Sequence, residues 1–410
     1  MPCSSEQPAI DDGGETLIIE PKCRGFICTT AHPTGCQKNV EEMAEAALAA
    51  RSQSPKRPQN VLVLGASAGY GLASRVVAAF SFGARTVGVS FEREAASGHT
   101  ATAGWYNNRA FDALAAENGL AAVTLNGDAF SDAVKDETIA ACRKLFNGQK
   151  IDLLVYSLAA PRRTDPQTGE TYSSVIKPVG SEYHGKTVDF HTGTVSETAI
   201  APASEAEIAA TIKVMGGEDW ALWIERLIAE GLVAEGFVTV AYSYIGPTLT
   251  HAIYRDGTIG HAKDDLMEQQ KKIDAALLPY HAHAYVSVNK AVVTQASAAI
   301  PVVPLYISLL YKVMKEMGSH EGCFEQMHRL YADRVYGAGT DAGLADSEGR
   351  IRLDDYEMRD AVQDEVARVW PLINSQNIEE LTDLDGYRRD FYAIFGFGRP
   401  DVDYAAEVQA

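Results

Sequence analysis

The sequence predicts an α/β protein built on a doubly wound parallel sheet, with hairpin and helical elements inserted to form a substrate-binding part. Three observations carry this. Residues 61–64 (VLVL) are an unbroken apolar run, as in a strand buried on both faces, and a glycine turn, GASAGYG, follows at once. Helical spacing then resumes, with Leu72, Val76, Val77 and Phe80 apolar. Further short apolar runs (TVGVSF, IDLLVYS and 236–242) alternate with helical segments, the pattern of strands joined by crossover helices.

In chain order, residues 1–16 are polar and predict a loose start. Residues 17–20 read as a short strand before the segment PKCRGFICTTAHPTGC, and 39–52 as a helix. In the turn after the first core strand the glycines have separable roles. Gly65 permits the tight turn, Gly69 lets a pyrophosphate approach the backbone, and Gly71 lets the helix pack against the strand. The helix start then offers free N–H groups and a partial positive charge to phosphates. A second strand, 85–91, ends at Glu92, whose carboxylate can accept from adenosine ribose hydroxyls and repel a 2′-phosphate. A helix over 105–118 and a strand over 122–125 lead to NGDAF. Asp128 there reads either as an adenine contact or as the cap of a helix over 131–146. Residues 151–157 are a fourth strand running into Leu158-Ala159-Ala160.

From 161 to 201 the alternation stops. Gly169, Gly180, Gly185 and Gly193 mark turns between short alternating runs, which reads as hairpins forming a lid, with Arg162, Arg163 and Lys177 supplying positive charge. Ser204 to Glu207 is a capping box opening a helix to 214, and 219–230 is a second helix with Trp220 and Trp223. A fifth strand (236–242), a helix (259–277), a sixth strand (284–288) and a long uncharged helix (291–311) follow. Residues 315–410 read as helices and loops, GRIRLDDYEM being a turn and a helix start. The chain is thus one enlarged domain over 1–410, with 161–235 an insertion forming the lid and substrate-binding part.

The net charge of −19 argues against nucleic acid and anionic membrane as partners, and an anionic ligand must find a local positive site. Cys23, Cys28, His32 and Cys36 lack a tight C-x2-C knuckle, so no metal site is expected. Six cysteines are too few for a disulfide scaffold and predict a reducing compartment. Residues 1–14 have no apolar core, so no secretory signal is expected; a cytoplasmic protein or a processed organellar one both fit. The uncharged 291–311 stretch is long enough to span a bilayer, but Thr294, Gln295, Ser297, Pro301, Pro304 and Ser308 make it a buried helix of a soluble protein.

Tyr254 and Lys263 are spaced Y-x8-K just after the fifth strand. With the runs PKCRGFICTTAHPTGC, VLVLGASAGYG, ATAGWYN, LNGDAF, VYSLAAPRRTDP, KVMGGEDW, VAYSYIGP, TQASAAIPVVPLYISLLYKVMKE and the closing FGFG, the chain resembles the trans-2-enoyl-CoA reductases and the FabV-type enoyl-acyl-carrier-protein reductases over about residues 17–405. The resemblance implies a Rossmann-like fold of the short-chain dehydrogenase superfamily, and NADH-dependent reduction of the C2=C3 bond of an enoyl-CoA or enoyl-acyl-carrier-protein, as a monomer or homodimer. It implies NAD contacts from Gly65, Ala66, Ser67, Ala68, Gly69 and Tyr70, with Phe91 and Glu92 flanking the adenosine. Asp128, Ala129, Leu158 and Ala159 would line the adenine and ribose side, and Lys263, Val292, Val293 and Thr294 the nicotinamide half. Tyr244 matches the substrate-binding tyrosine and Tyr254 the proton donor.

The chemistry agrees. Hydride delivered to C3 leaves negative charge on the thioester oxygen, which a phenol can stabilise, and a nearby ammonium would lower that phenol's pKa. A carbonyl reductase using the same tyrosine, or a non-catalytic dinucleotide-binding or membrane-attached protein, are the alternatives.

Overall fold

The computed structural model describes residues 16–51, 56–96, 98–337 and 344–409. Seven parallel strands form the central sheet: β1 (Asn60–Leu64), β2 (Arg85–Ser90), β3 (Ala122–Asn126), β4 (Ile151–Tyr156), β5 (Val233–Ser243), β6 (His283–Val288) and β7 (Arg350–Arg352). Their spatial order is β7-β6-β5-β4-β1-β2-β3. From β1 the chain winds outward through β2 and β3, then returns to β1's other side at β4 and winds the opposite way. Every carboxyl end therefore lies on one edge, with a crevice where the winding reverses.

Eleven helices matter to the argument: α1 (Pro33–Ala49), α2 (Gly69–Val76), α3 (Ala103–Glu117), α4 (Asp132–Leu145), α5 (Glu205–Met215), α6 (Glu218–Ala229), α7 (Thr258–Leu277), α8 (Val303–Glu316), α9 (Cys323–His328), α10 (Asp360–Val369) and α11 (Leu384–Ile394). Alternation along the strands sorts the core into layers. Leu62, Leu64 and Leu154 face α4, α6 and α7, where Trp220 and Trp223 are fully buried. Val61, Val63 and Val155 face α2 and the segment after α9. A further cluster joins α8, α10 and α11 beyond the sheet edge. Residues 161–235 are of two kinds. Tyr183–Asp189 pairs with Thr194–Ile200 as an antiparallel hairpin, whereas α6 is part of the core against the sheet.

Four expectations are corrected. The 291–311 stretch is not one helix: a loop and a short turn over Gln295–Ala298 precede α8, because Thr294 caps that turn and Pro301 and Pro304 force the restart. Among the described residues no helix is long and apolar enough to cross a membrane. The RIR run after Gly349 is a seventh strand rather than a helix start; three residues are too few to show a strand period. Ser131, not Asp128, caps α4, its hydroxyl accepting from the Val134 N–H, while Asp128 accepts from Phe130 N–H. Finally, the positive charge expected at Arg163 and Lys177 is neutralised, since Arg163 pairs with Glu218 and Lys177 with Glu207; Arg162 is exposed.

Candidate active site

The turn after β1 is built as its glycines require. Gly65 sits at φ +82°, and a Cβ there would lie 2.2 Å from the Ser157 carbonyl oxygen. A Cβ on Gly71 would meet the Gly65 carbonyl oxygen at 1.9 Å, so helix and strand approach as closely as glycine allows. Gly69 differs: at φ +53° its Cβ would meet only the Thr294 methyl, at 3.6 Å. It opens α2, whose cap Ala68 makes no side-chain hydrogen bond, so the first N–H groups of the helix are left for an anion.

Along the same edge, Glu92 lies over this turn. Its two oxygens accept from the Ser67 and Thr102 hydroxyls, each at 2.5 Å, and Asn126 brackets its backbone. Two hydroxyl donors fix the carboxylate and leave lone pairs for a ribose. Phe91 beside it is 76% exposed, an apolar ring in water next to the turn. The Ala129 carbonyl points into the core, where Trp223 and Lys135 donate to it. Glu92, Phe91 and Asp128 fit the adenosine half of a dinucleotide, whereas the expected Ala129 is turned into the core. The turn fits its pyrophosphate.

Past the carboxyl ends of β4, β5 and β6 lies a cavity of about 500 Å³, mostly apolar. Tyr70, Leu158, Ala159, Tyr244, Tyr254, Lys263, Val292 and Thr294, all expected at the site, line it. Val293 does not: its side chain packs into the α8 cluster and its N–H donates to the Tyr311 hydroxyl. Tyr70 contributes ring surface only, because its hydroxyl donates to the Lys290 carbonyl at 2.6 Å. Ile176, Met215, Ile259, Ile300, Val303 and Ile307 supply apolar wall on the far side, suited to an acyl chain. A more polar cavity of about 790 Å³ lies at the amino edge of the sheet, among Asp152, Glu235 and His283, where no expected site residue falls.

Tyr254 is held in a turn closed onto the start of α7. Gly260 donates to the Tyr254 carbonyl, and a Cβ there would lie 1.8 Å from the Arg255 carbonyl oxygen. The insertion is stitched to this turn through Thr258, which donates to the Val175 carbonyl and whose N–H donates to Lys177. Burial holds the Tyr254 phenol well above its ordinary range, and among the described residues its hydroxyl has no partner. Tyr244 packs edge-on against it, ring centres 5.1 Å apart, but donates its own hydroxyl to Glu357 at 2.9 Å. Lys263 donates to the Tyr242 carbonyl at 2.9 Å and is pushed down to about 8 by burial. The expected lowering of the Tyr254 phenol by this ammonium does not occur here, since the ammonium is turned toward Tyr242 and burial alone acts on Tyr254.

Cys23, Cys28, His32 and Cys36, where the spacing gave no reason to expect a metal site, make the following contacts. Cys23 and Cys28 face each other across a two-residue hairpin, and Cys36 is fully buried. His32 caps α1 by accepting from the Gly35 N–H, and its ring lies edge-on to Tyr404.

Sequence reasoning missed Glu357, Lys290 and Tyr306. Lys290 carried a weak signal as the charge that bounds the uncharged 291–311 stretch, and Tyr306 as a hydroxyl inside it. Glu357 carried none, since its partners are 51, 66 and 113 residues away.

A parallel sheet with a reversal crevice, an open glycine turn and a tyrosine–lysine cavity beside it define a nicotinamide-dependent oxidoreductase of the Rossmann type. The chain belongs to the trans-2-enoyl-CoA reductase family. Residues 18–97 match the NAD(P)H binding domain of trans-2-enoyl-CoA reductase, 99–336 its catalytic region, and 345–408 an enoyl reductase FAD binding domain. An enoyl-[acyl-carrier-protein] reductase [NADH] of Coxiella burnetii is 55% identical over 397 residues, 96% of each chain. A trans-2-enoyl-CoA reductase [NADH] of Ruminiclostridium cellulolyticum is 53% identical, over 96% of this chain and 98% of that one. The crystal structure of Treponema denticola trans-2-enoyl-CoA reductase in complex with NAD superposes with a TM-score of 0.91 at 50% identity, covering 96% of this chain and 98% of that one.

The 345–408 segment does not fit a flavin. Its Tyr387, Phe391, Phe395 and Phe397 are buried among one another and α8. Its close-packed glycines meet protein: a Cβ on Gly396 would lie 2.4 Å from the His32 carbonyl oxygen, and one on Gly386 2.1 Å from Asp383. None of its described residues lines the cavity beyond β4–β6.

Proposed function

We propose that this chain reduces the C2=C3 double bond of trans-2-enoyl thioesters with NADH, that Tyr254 is the group that stabilises the developing oxyanion, and that Lys263 binds the nicotinamide ribose. The observation that carries the assignment is the contrast between the two tyrosines. Tyr244 has its proton committed to a buried carboxylate, whereas Tyr254 lines the cavity with its proton uncommitted.

When bound, NADH supplies the hydride for C3 of the substrate. As that bond forms, negative charge gathers on the thioester oxygen, and a Tyr254 O–H aimed there is worth more in the transition state than in the ground state. Burial keeps the phenol neutral at neutral pH, so it is a donor throughout. The enolate then takes a proton at C2. Tyr244, its hydroxyl tied to Glu357, offers the acyl group ring surface. The apolar wall of Ile300, Val303 and Ile307 excludes water from the acyl chain. Glu92 favours NADH over NADPH by its charge at the end of β2.

Both carriers fit this chemistry, since the cavity holds the acyl part. The test is oxidation of NADH followed by absorbance with crotonyl-CoA, crotonyl-acyl-carrier-protein and a panel of ketones. Turnover of the enoyl thioesters alone supports the proposal. Turnover of ketones alone establishes a carbonyl reductase instead.

A further inference from the structure

β7 runs parallel to β6, so both end on the same edge of the sheet. Ala291 lies three residues past the end of β6, and Glu357 five past the end of β7. The two meet. One Glu357 oxygen accepts from the Ala291 N–H at 2.7 Å, and the other accepts from the Tyr306 hydroxyl at 2.6 Å and the Tyr244 hydroxyl at 2.9 Å. The side chain is fully buried. Burial raises its carboxyl pKa, and these three donors and the neighbouring Lys290 charge oppose that.

The same segment supports the loop at a second point. Asp390 bonds to the Tyr311 hydroxyl, which accepts from Val293 N–H, while Gln326 from α9 accepts from Lys290 N–H. Residues 290–293, which run into the cavity wall at Val292 and Thr294, are thus hung on side chains from behind.

We infer that Glu357 is a positioning residue that ties the substrate-side tyrosine to the loop at the nicotinamide end of the cavity, and that this bracing is what the 345–408 segment contributes to the reaction. A single carboxylate fixes two things at once. It sets the position of the loop through the Ala291 amide, and it accepts the Tyr244 hydrogen bond, which fixes the ring of a residue that lines the cavity. The inference rests on the enoyl reductase reading given above.

Glu357→Gln keeps shape and volume but replaces one acceptor oxygen with an NH2 donor. Whichever way the amide turns, it either faces the Ala291 N–H donor-to-donor or forces the tyrosines to accept, releasing the Tyr244 proton into the cavity. The expected result is a fall in kcat/KM for crotonyl-CoA of about 10–100-fold, the scale of a misplaced reacting geometry. The Kd for NADH, read by fluorescence in the absence of substrate, rises as well. In a Tyr244→Phe background the Gln substitution no longer changes the KM for crotonyl-CoA but still weakens NADH. If Glu357→Gln does not fold, judged by far-UV dichroism and melting, Glu357→Asp carries the same test, because the shorter side chain keeps the charge but cannot reach both partners. Wild-type turnover with an unchanged NADH Kd in the folded Gln or Asp variant, or fully additive losses in the double variant, overturns the inference. Absence of wild-type turnover overturns the enoyl reductase reading instead.

Discussion

Replacing Tyr254 by phenylalanine isolates the chemical step. The ring sits in a close-packed turn with Tyr244 edge-on at 5.1 Å, and phenylalanine keeps that contact. Because the hydroxyl has no partner among the described residues, its removal orphans no buried donor or acceptor, and stability should hardly change. What is lost is one donor to an oxyanion that forms only in the transition state. Such a donor is worth about 2.7–4 kcal/mol, or roughly a hundred- to a thousandfold in kcat. The KM should move little, since the bond strengthens as charge develops. Tyr244→Phe should behave differently. It removes one of two hydroxyl donors from Glu357 Oε1 and disturbs the acyl side, so KM for crotonyl-CoA should rise more than kcat falls. The assay is steady-state NADH oxidation with both variants at saturating cofactor, alongside melting curves. A near-normal kcat in Tyr254→Phe together with a collapse in Tyr244→Phe would refute the assignment and make Tyr244 the acid.

Glu92→Ala should narrow the preference for NADH over NADPH by about tenfold or more, the worth of one hydrogen bond to a charged acceptor. Equal use of both cofactors by the wild type would show that Glu92 does not set the choice. Lys263 carries its charge below about pH 8 and loses it above, so NADH affinity should decline as pH rises through 8. A fluorescence titration that stays flat to pH 9.5 would contradict this. Lys135→Met leaves the buried Asp219 with only the Tyr156 hydroxyl at 3.2 Å as a short contact among the described residues, and should cost about 3–5 kcal/mol in urea unfolding. A loss below about 1 kcal/mol, the scale of an exposed pair, would show that the pair is solvated.

The sequence by itself determined the strand–turn–helix at 60–76, the alternation of six strands with helices, and the placement of Tyr244, Tyr254 and Lys263 at one sheet edge. These are local facts. Apolar runs, glycines at fixed offsets and a capping box act within a few residues, and parallel strands put all their carboxyl ends together. Tertiary structure decided what local pattern could not encode. β7 is three residues long and is a strand only because β6 offers it an edge. The 291–311 stretch is uncharged throughout, yet its first residues form a loop whose Ala291 and Val293 amides are taken by Glu357 and Tyr311, side chains from elsewhere in the fold. The two tyrosines look alike in sequence, ten residues apart, and differ only because a carboxylate from the far end of the chain reaches one and not the other. Proton commitment in a buried site depends on which donors and acceptors are brought together. Only the closed fold brings residue 357 to residue 244.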